Sequence, residues 1–323
     1  MLRSENVKID IIEEDIRILD SQLLKLLLTD NSTHKNIVWA TTDYVQFGEY
    51  YSPECEITPN QITGENTNII KPRVSKEKDK QSNRTRDKAE VFTPAWICNA
   101  QNNLIDEQWF GRSDVFNTAI DNKWKVTKGK IKFPAKPKKT WQDYVRAKRL
   151  EITCGEAPYL VSRYDTVTGK PISDVHKRIG LLDRKLRIVD ENTDNEADWL
   201  SWVKKAYQSI YGYEYQGDNL LLARENLLFT FSDYMMHKWN RHPTVDEYRK
   251  IAYIISWNIW QMDGLTYTAP YSEMEHQEEF KQLTLFEVIE ENSDFIEAVP
   301  CIIRDWTNKE YVKFKDLIVK GGR

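Results

Sequence analysis

Short apolar segments alternate with helical ones from residue 149 onward, and this alternation restricts the fold more than any other feature of the chain. The strand-like segments are RLEIT at 149–153, YGYEY at 211–215 and NIWQMDG at 258–264. Between them the apolar residues recur three and four positions apart, the spacing of amphipathic helices, at 196–210, 217–239 and 244–257. Strands that alternate with helices form mostly parallel sheets with helices on both faces, so we predict an α/β, Rossmann-like fold.

The remaining segments divide the chain into two predicted parts. Residues 9–28 have the apolar spacing of one amphipathic helix, and residues 64–89 are polar and basic, as in an exposed or mobile linker. Residues 178–192 fit either a hairpin or a helical insertion. We therefore predict an N-terminal helical region with a basic linker at 1–89, followed by the α/β domain at 90–323.

Composition excludes several classes of protein. The mean hydropathy is −0.65, and no apolar run reaches the roughly 20 residues that a membrane-spanning helix needs. The N-terminus lacks the apolar core of a signal peptide, so we expect a cytoplasmic protein. The four cysteines contain no C-x-x-C pair, which indicates reduced thiols and no zinc site. Neither a phosphate-binding GxxxxGK[ST] loop nor a Gly-x-Ser-x-Gly elbow is present.

Charge is unevenly distributed along the chain. Residues 123–149 hold eleven Lys or Arg against one acid, interleaved with aromatic residues. This stretch is typical either of a surface that follows a nucleic-acid backbone or of a solvated loop. Under the first interpretation, the candidate DNA-binding residues are Lys136, Lys138 and Lys139. Residues 273–297 are acidic and would repel nucleic acid, which favours a solvent face or a protein contact there.

Polar residues follow each predicted strand, where ligands of parallel sheets bind. The first strand leads into Thr153-Cys154-Gly155-Glu156-Ala157, where a glycine and a small residue let a ligand approach the backbone. The second ends at Glu214, whose carboxylate suits a ribose diol. The third ends at Asp263, which can accept from an adenine amine. Each residue also has a purely structural interpretation. Gly155 could form only a turn, Glu214 could be an acid favoured at a helix N-terminus, and Asp263 could form an Asp-Gly turn.

The order of these segments resembles the amino-group DNA methyltransferases of restriction-modification systems, which use S-adenosylmethionine and methylate adenine at N6. The similar segments are EVFTPAWICNAQNNLID, LEITCGEAPYL, YGYEYQGDNLLLARENLL and NIWQMDGL, from about Glu90 to Leu265. The resemblance implies that Thr93 and Pro94, at a helix N-cap and first turn, lie near the methionine end of the cofactor. It implies cofactor contacts for Phe92, Thr93, Pro94, Thr153, Cys154, Gly155, Glu156, Ala157, Glu214, Tyr215, Asp263 and Gly264.

One motif of that family is missing. Its members carry Asn-Pro-Pro-aromatic after the fourth strand, and no Pro-Pro pair occurs among these 323 residues. That motif frees the amine lone pair of adenine and stacks on the flipped base, so no catalytic residue is assigned in this chain. The expectation is a split methyltransferase that acts on duplex DNA with a second subunit carrying the motif and the target-recognition domain. The alternatives are a non-catalytic cofactor-binding or DNA-binding regulatory subunit, or a methyltransferase acting on RNA or protein.

Overall fold

The computed structural model describes residues 12–76, 93–273 and 298–321, and across these ranges the protein is a mixed α/β structure with small sheets. The helices are α1 (Glu13–Leu19), α2 (Ser21–Leu28), α3 (Pro59–Ile62), α4 (Ala95–Phe110), α5 (Trp141–Arg146), α6 (Leu181–Asn192), α7 (Glu196–Tyr207), α8 (Gly217–Trp239), α9 (Val245–Asn258) and α10 (Phe314–Gly321). The strands are β1 (Asn117–Ile120), β2 (Lys123–Val126), β3 (Arg149–Glu151), β4 (Ile210–Glu214), β5 (Ile259–Gln261), β6 (Ile302–Asp305) and β7 (Glu310–Lys313).

The central sheet is parallel, as the alternation of segments predicts. Its three strands lie in the order β3-β4-β5, with Glu151 opposite Gly212 and Glu214 opposite Gln261. The two other sheets are antiparallel hairpins, β1-β2 and β6-β7. All three predicted strands are therefore confirmed, as are the three helices predicted between them, which are α7, α8 and α9.

The two faces of the central sheet are covered differently. On one face Ile210 and Ile259 are buried in the large core that the helices form. On the other face Tyr211 and Trp260 belong to a smaller core with Phe314 of α10. Ile303 of the β6-β7 hairpin packs into the same small core. In the described ranges, the prediction of crossover helices on both faces thus holds for one face, and a hairpin with α10 covers the other.

The single helix predicted at 9–28 is two helices, and residues 9–11 lie outside the described ranges. Asp20 separates α1 from α2 because its backbone is extended, with φ −167°. Its carboxylate accepts a hydrogen bond from Gln22 N at 3.3 Å and caps α2. A short acidic side chain that caps a new helix favours ending the preceding one. The spacing of apolar residues alone does not show such a break.

The alternative left open at 178–192 is a helix, α6. The N-terminus of α6 packs closely against the backbone at Leu160, in the segment that follows β3. A Cβ on Gly180 would stand 2.3 Å from Leu160 O. The buried Asp183 carboxylate accepts hydrogen bonds from Ser162 N at 2.9 Å and Gly180 N at 3.2 Å. Arg184 of the same helix forms an ion pair with Asp106, and both side chains are about 1% exposed.

The N-terminal part packs into the same core as the sheet. Leu24 and Leu27 of α2 belong to the core that holds α8 and β5. The Gln261 side chain accepts from Val38 N and donates to Val38 O, both at 2.8 Å, as a neighbouring strand would. Within the linker predicted at 64–89, residues 64–76 are described and most are exposed or half-buried, but Ile70 is 3% exposed and packs in the main core. Residues 77–89 lie outside the described ranges.

Two buried glutamates, Glu13 of α1 and Glu225 of α8, interact electrostatically and predict a pH dependence of stability. Glu225 is 0% exposed and neither of its carboxylate oxygens has a hydrogen-bond partner. Burial raises the pKa of Glu13 to about 7, and burial together with the Glu13 charge raises the pKa of Glu225. Both pKa values fall to about 4.3 in the unfolded chain, so the protonated pair stabilises the fold at low pH and this stabilisation is lost as pH rises through about 7.

Glu225→Gln removes one of the two ionisable groups. The variant is therefore expected to lose less stability than the wild type as pH rises. Urea unfolding at pH 5.5 and pH 8 should show a smaller loss of the free energy of unfolding between the two pH values in the variant than in the wild type. Glu107→Gln, at an exposed position of α4, is the matched control and should leave the pH dependence unchanged. An unchanged pH dependence in Glu225→Gln would contradict the assignment.

Candidate functional site at the carboxyl ends of the strands

The three strand ends meet around Glu214. Gly155 N, in the loop after β3, donates a hydrogen bond to Glu214 Oε2 at 2.8 Å. Backbone pairing also continues past the strands, with Cys154 N on Tyr213 O at 2.8 Å and Met262 N on Glu214 O at 3.0 Å. The loop after β3 and Glu214, 59 positions after Gly155, are therefore in direct contact, and α6 and α7 lie between them in sequence. Glu214 lies between the other two strand ends.

The Glu214 carboxylate is buried and held by backbone donors. The residue is 8% exposed, and its Oε1 accepts from Gln216 N at 3.2 Å. Burial raises the pKa of Glu214, while the N–H groups of Gly155 and Gln216 act in the opposite direction. A carboxylate has about four acceptor positions, so two backbone bonds leave capacity for the hydroxyls of a sugar. The position is suited to a diol and is fixed before any ligand arrives.

The loop after β3 bends through three left-handed residues. Thr153, Gly155 and Ala157 have φ values of 44°, 53° and 62°. A non-glycine residue with positive φ is uncommon, and two of them close together mark a loop that its surroundings hold in place. Ala157 thus adopts the backbone conformation that glycine favours. Cys154 is buried beneath the loop, with its Sγ 3.4 Å from where a Cβ on Gly212 would lie.

Glu156 faces the protein interior and not the outer side of the loop. It is 1% exposed, and its Oε1 accepts from Arg73 N at 2.7 Å. Its Oε2 accepts from the Tyr164 hydroxyl at 2.6 Å, and Asn226 donates to the same hydroxyl at 3.1 Å. The side chain predicted to bind cofactor therefore anchors the loop to the segment at 73 and to α8.

Glu151 is a residue of this site that the sequence interpretation missed. It ends β3, is 8% exposed, and accepts from Tyr159 N at 3.3 Å and Leu160 N at 3.1 Å. Burial raises the pKa of Glu151, and the neighbouring charge of Glu214 adds to the effect. The sequence feature that could have identified Glu151 is its position as an acid at the end of an apolar strand, two residues before Thr153 in the loop after β3.

The N-terminus of α4 already has a carboxylate. The N-cap is Pro94, one residue after the predicted N-cap Thr93, and Ala95 N donates to Asp165 Oδ2 at 2.8 Å. Thr93 O accepts from the Thr166 hydroxyl at 3.2 Å, so the start of α4 is tied to the loop at 165–166. Phe92 lies outside the described residues. Asp165 occupies the kind of position expected for the carboxylate of a cofactor.

Asp263 forms a turn at the end of β5. Its Oδ1 accepts from Leu265 N at 2.7 Å, which is the turn-forming role that the Asp-Gly pair also predicted. A Cβ on Gly264 would stand 3.3 Å from the Tyr213 ring. Tyr215 is 36% exposed; burial, its bond with Tyr271 and the Asp263 charge raise its pKa. The charge of Asp263 therefore acts on the Tyr215 hydroxyl.

The three candidate DNA-binding lysines differ in their surroundings. Lys136 and Lys138 are exposed. The Lys139 ammonium donates to Trp109 O and lies 4.7 Å from the centre of the Trp109 ring. Lys139 is therefore engaged within the protein, while the other two are open to a phosphate backbone.

Comparisons with other proteins give no relative. No protein-family model, curated protein or solved structure matches this chain. Within residues 12–76, 93–273 and 298–321, no group of three or more His, Cys, Asp or Glu side chains could hold a metal ion. Over the same ranges, no helix combines the length and apolar character needed to cross a bilayer.

Proposed function

We propose that this chain is the S-adenosylmethionine-binding subunit of a split DNA adenine-N6 methyltransferase in a restriction-modification or phage-defence system. The observation that carries the proposal is the contact of Gly155 with Glu214 at the carboxyl ends of neighbouring parallel strands. The position is where nucleotide-type cofactors bind in open α/β sheets. The proposal also rests on the resemblance of the ordered sequence segments to amino-group DNA methyltransferases.

The sheet supports a Rossmann-like interpretation with one half missing. Three parallel strands in sequential order are what one βαβαβ half of a doubly wound fold contains, and the other half pairs with the first strand of that half. In the described part of the chain no strand pairs with the outer edge of β3. A second subunit could complete the sheet there.

The residues present are compatible with the cofactor. Glu214 retains acceptor capacity for ribose hydroxyls, and Asp263 follows the neighbouring strand β5, where its carboxylate is proposed to accept from the base. S-adenosylmethionine supplies an electrophilic methyl group. This chain's part is to hold the cofactor in a fixed orientation, and the groups that accept the protons of the adenine amine come from the partner.

The second candidate function is a non-catalytic cofactor-binding or DNA-binding regulatory subunit. The observation that favours it is the hydrogen bond between Asp165 and Ala95 N at 2.8 Å, because the N-terminus of α4 then has less capacity for a cofactor carboxylate. Under this alternative, addition of a partner with the Asn-Pro-Pro motif does not produce methylation.

Calorimetric titration of S-adenosylmethionine into the full chain tests the cofactor site. Micromolar binding is expected, with at least a tenfold loss in Glu214→Gln and a larger loss in Glu214→Ala, because each removes acceptors for the ribose hydroxyls. Glu107→Ala, at an exposed position of α4, is the control and should bind as the wild type does. Thermal melts show whether each variant is folded. No binding by the folded wild type at millimolar cofactor would contradict the proposal for the isolated chain.

Reconstitution separates the two candidate functions. A methyltransferase chain that carries the Asn-Pro-Pro motif is added, and methyl transfer from radiolabelled cofactor to duplex DNA is measured. Methylation that requires both chains and is lost with Glu214→Ala supports the split enzyme. Stable complex formation without methylation supports the regulatory alternative.

A further inference from the structure

A pocket lies in the N-terminal part of the chain, away from the residues of the strand-end site. Its volume is about 530 Å³, and it is lined by residues in two stretches, 43–47 and 67–76. The lining includes Tyr44, Gln46, Phe47, Asn68, Lys71 and Lys76. Pockets of about 300–1,000 Å³ are typical for small ligands, so this one could hold a ligand of nucleotide size.

Phe47 gives the pocket a rigid aromatic wall. It is 49% exposed and stands at the outer end of an aromatic cluster whose inner rings are buried. Its ring centre is 5.6 Å from Tyr51 and 6.5 Å from Tyr44, and Trp39 packs 4.5 Å from Tyr44. Because the inner rings hold Phe47 in place, its open face is pre-organised to stack on another flat group.

Lys71, Gln46 and Asn68 in the lining suit a nucleotide, and the lining also contains the carboxylate of Asp43. Lys71 is exposed and places a positive charge at the rim, where a phosphate would be attracted. The amides of Gln46 and Asn68 offer both donors and acceptors, which the edge of a base requires. An aromatic wall with a nearby cation and amide groups is the usual combination for an unstacked nucleotide.

The pocket is connected to the strand-end site through Asp218. This residue is in the first turn of α8, four positions after Glu214. Its Oδ2 accepts from the Tyr44 hydroxyl at 2.8 Å and pairs with the Lys76 ammonium at 3.0 Å. Two lining residues are therefore fixed by the helix that begins just past the proposed ribose-binding carboxylate.

We propose that this pocket binds a single nucleotide, with the base stacked on Phe47 and the phosphate beside Lys71. The nucleotide is either free in solution or extruded from DNA, and the second source rests on the proposed function. In that case the pocket holds a displaced nucleotide of the DNA substrate close to the cofactor site.

Titration of adenosine 5′-monophosphate and of adenosine into the full chain tests the pocket. Phe47→Ala should weaken both ligands about tenfold or more, because the stacking surface is lost. Lys71→Ala should weaken the monophosphate about fivefold and leave adenosine unchanged. Tyr50→Ala, which removes a 71% exposed aromatic ring outside the pocket, is the control and should change neither. Melting temperatures within a few degrees of the wild type establish that the variants are folded.

A duplex with one 2-aminopurine distinguishes the two sources of the nucleotide. A fluorescence increase on binding that Phe47→Ala abolishes assigns the pocket to an extruded base, whereas binding of the monophosphate alone assigns it to a free nucleotide. The proposal is overturned if the folded wild type binds neither probe, or if Tyr50→Ala weakens binding as much as Phe47→Ala.

Cofactor titrations keep this proposal separate from the proposed function. Phe47→Ala should bind S-adenosylmethionine as the wild type does, and Glu214→Gln should still bind the monophosphate. Monophosphate binding without any cofactor binding supports the pocket and contradicts the proposed function. Competition between the two ligands for one site would contradict a separate nucleotide pocket.

Discussion

Gly217→Ala is expected to lower the free energy of unfolding by about 3 kcal/mol or more, and the variant should accumulate poorly as folded protein. An added Cβ would stand 2.1 Å from Val38 O and 3.0 Å from the Ile57 side chain. Gly217 N also donates to Trp39 O at 3.0 Å, so the start of α8 cannot move away without losing that bond. The clash is with backbone and not with a flexible side chain, and relief requires a shift of the whole N-terminal segment.

Urea unfolding followed by tryptophan fluorescence measures the effect. Gly64→Ala is the matched control, because Gly64 has φ +64° but open space around its Cα. That variant should lose only about 1 kcal/mol, the cost of a left-handed alanine. Equal losses in the two variants would show that backbone conformation and not close packing limits position 217.

Arg224→Leu is expected to destabilise the protein by about 3 kcal/mol. Arg224 is 0% exposed, and its guanidinium donates to Leu27 O at 2.6 Å, Thr29 O at 2.9 Å and Ile259 O at 2.8 Å. Burial lowers the pKa of Arg224 to about 10, which still leaves it charged at neutral pH. Leucine would leave these buried carbonyls without their donor, and each such loss costs about 1 kcal/mol or more.

The matched control for Arg224→Leu is Arg249→Leu. Arg249 makes an ion pair with Asp20 at 2.6 Å, but its side chain is 47% exposed. Solvent screens such a pair, so this variant should lose less than about 1 kcal/mol. Chemical unfolding of both variants at pH 7 provides the comparison, and a loss in Arg224→Leu no greater than in the control would refute the role of the buried guanidinium.

The sequence predicted the central elements because their patterns are unambiguous. β4 is buried at every position and α8 continues for 23 residues, so an apolar run and a long periodic segment identified them. The meeting of Gly155 and Glu214 also followed from the rule that the carboxyl ends of parallel strands lie at one edge. The strand and helix were predicted from local sequence patterns, and the position of the two site residues from a general rule of sheet topology.

Features that depend on distant partners could not be predicted in this way. Residues 178–192 were ambiguous because α6 buries Asp183, Arg184 and Lys185, whose charges are satisfied by residues far away in sequence. The role of Asp165 at the start of α4 depends on a contact across 70 positions. Buried polar networks of this kind have no periodic signature in a single sequence.

The bonds of Arg224 and Gln261 with the N-terminal segment have a consequence for biosynthesis. They join residues 197 and 223 positions apart, so a chain emerging from the ribosome presents Leu27 and Val38 long before their partners exist. Until α8 and α9 are translated, the apolar face of α2 lacks the two helices against which it packs. The nascent chain therefore needs protection from aggregation during most of its synthesis, and slower translation lengthens the period of exposure.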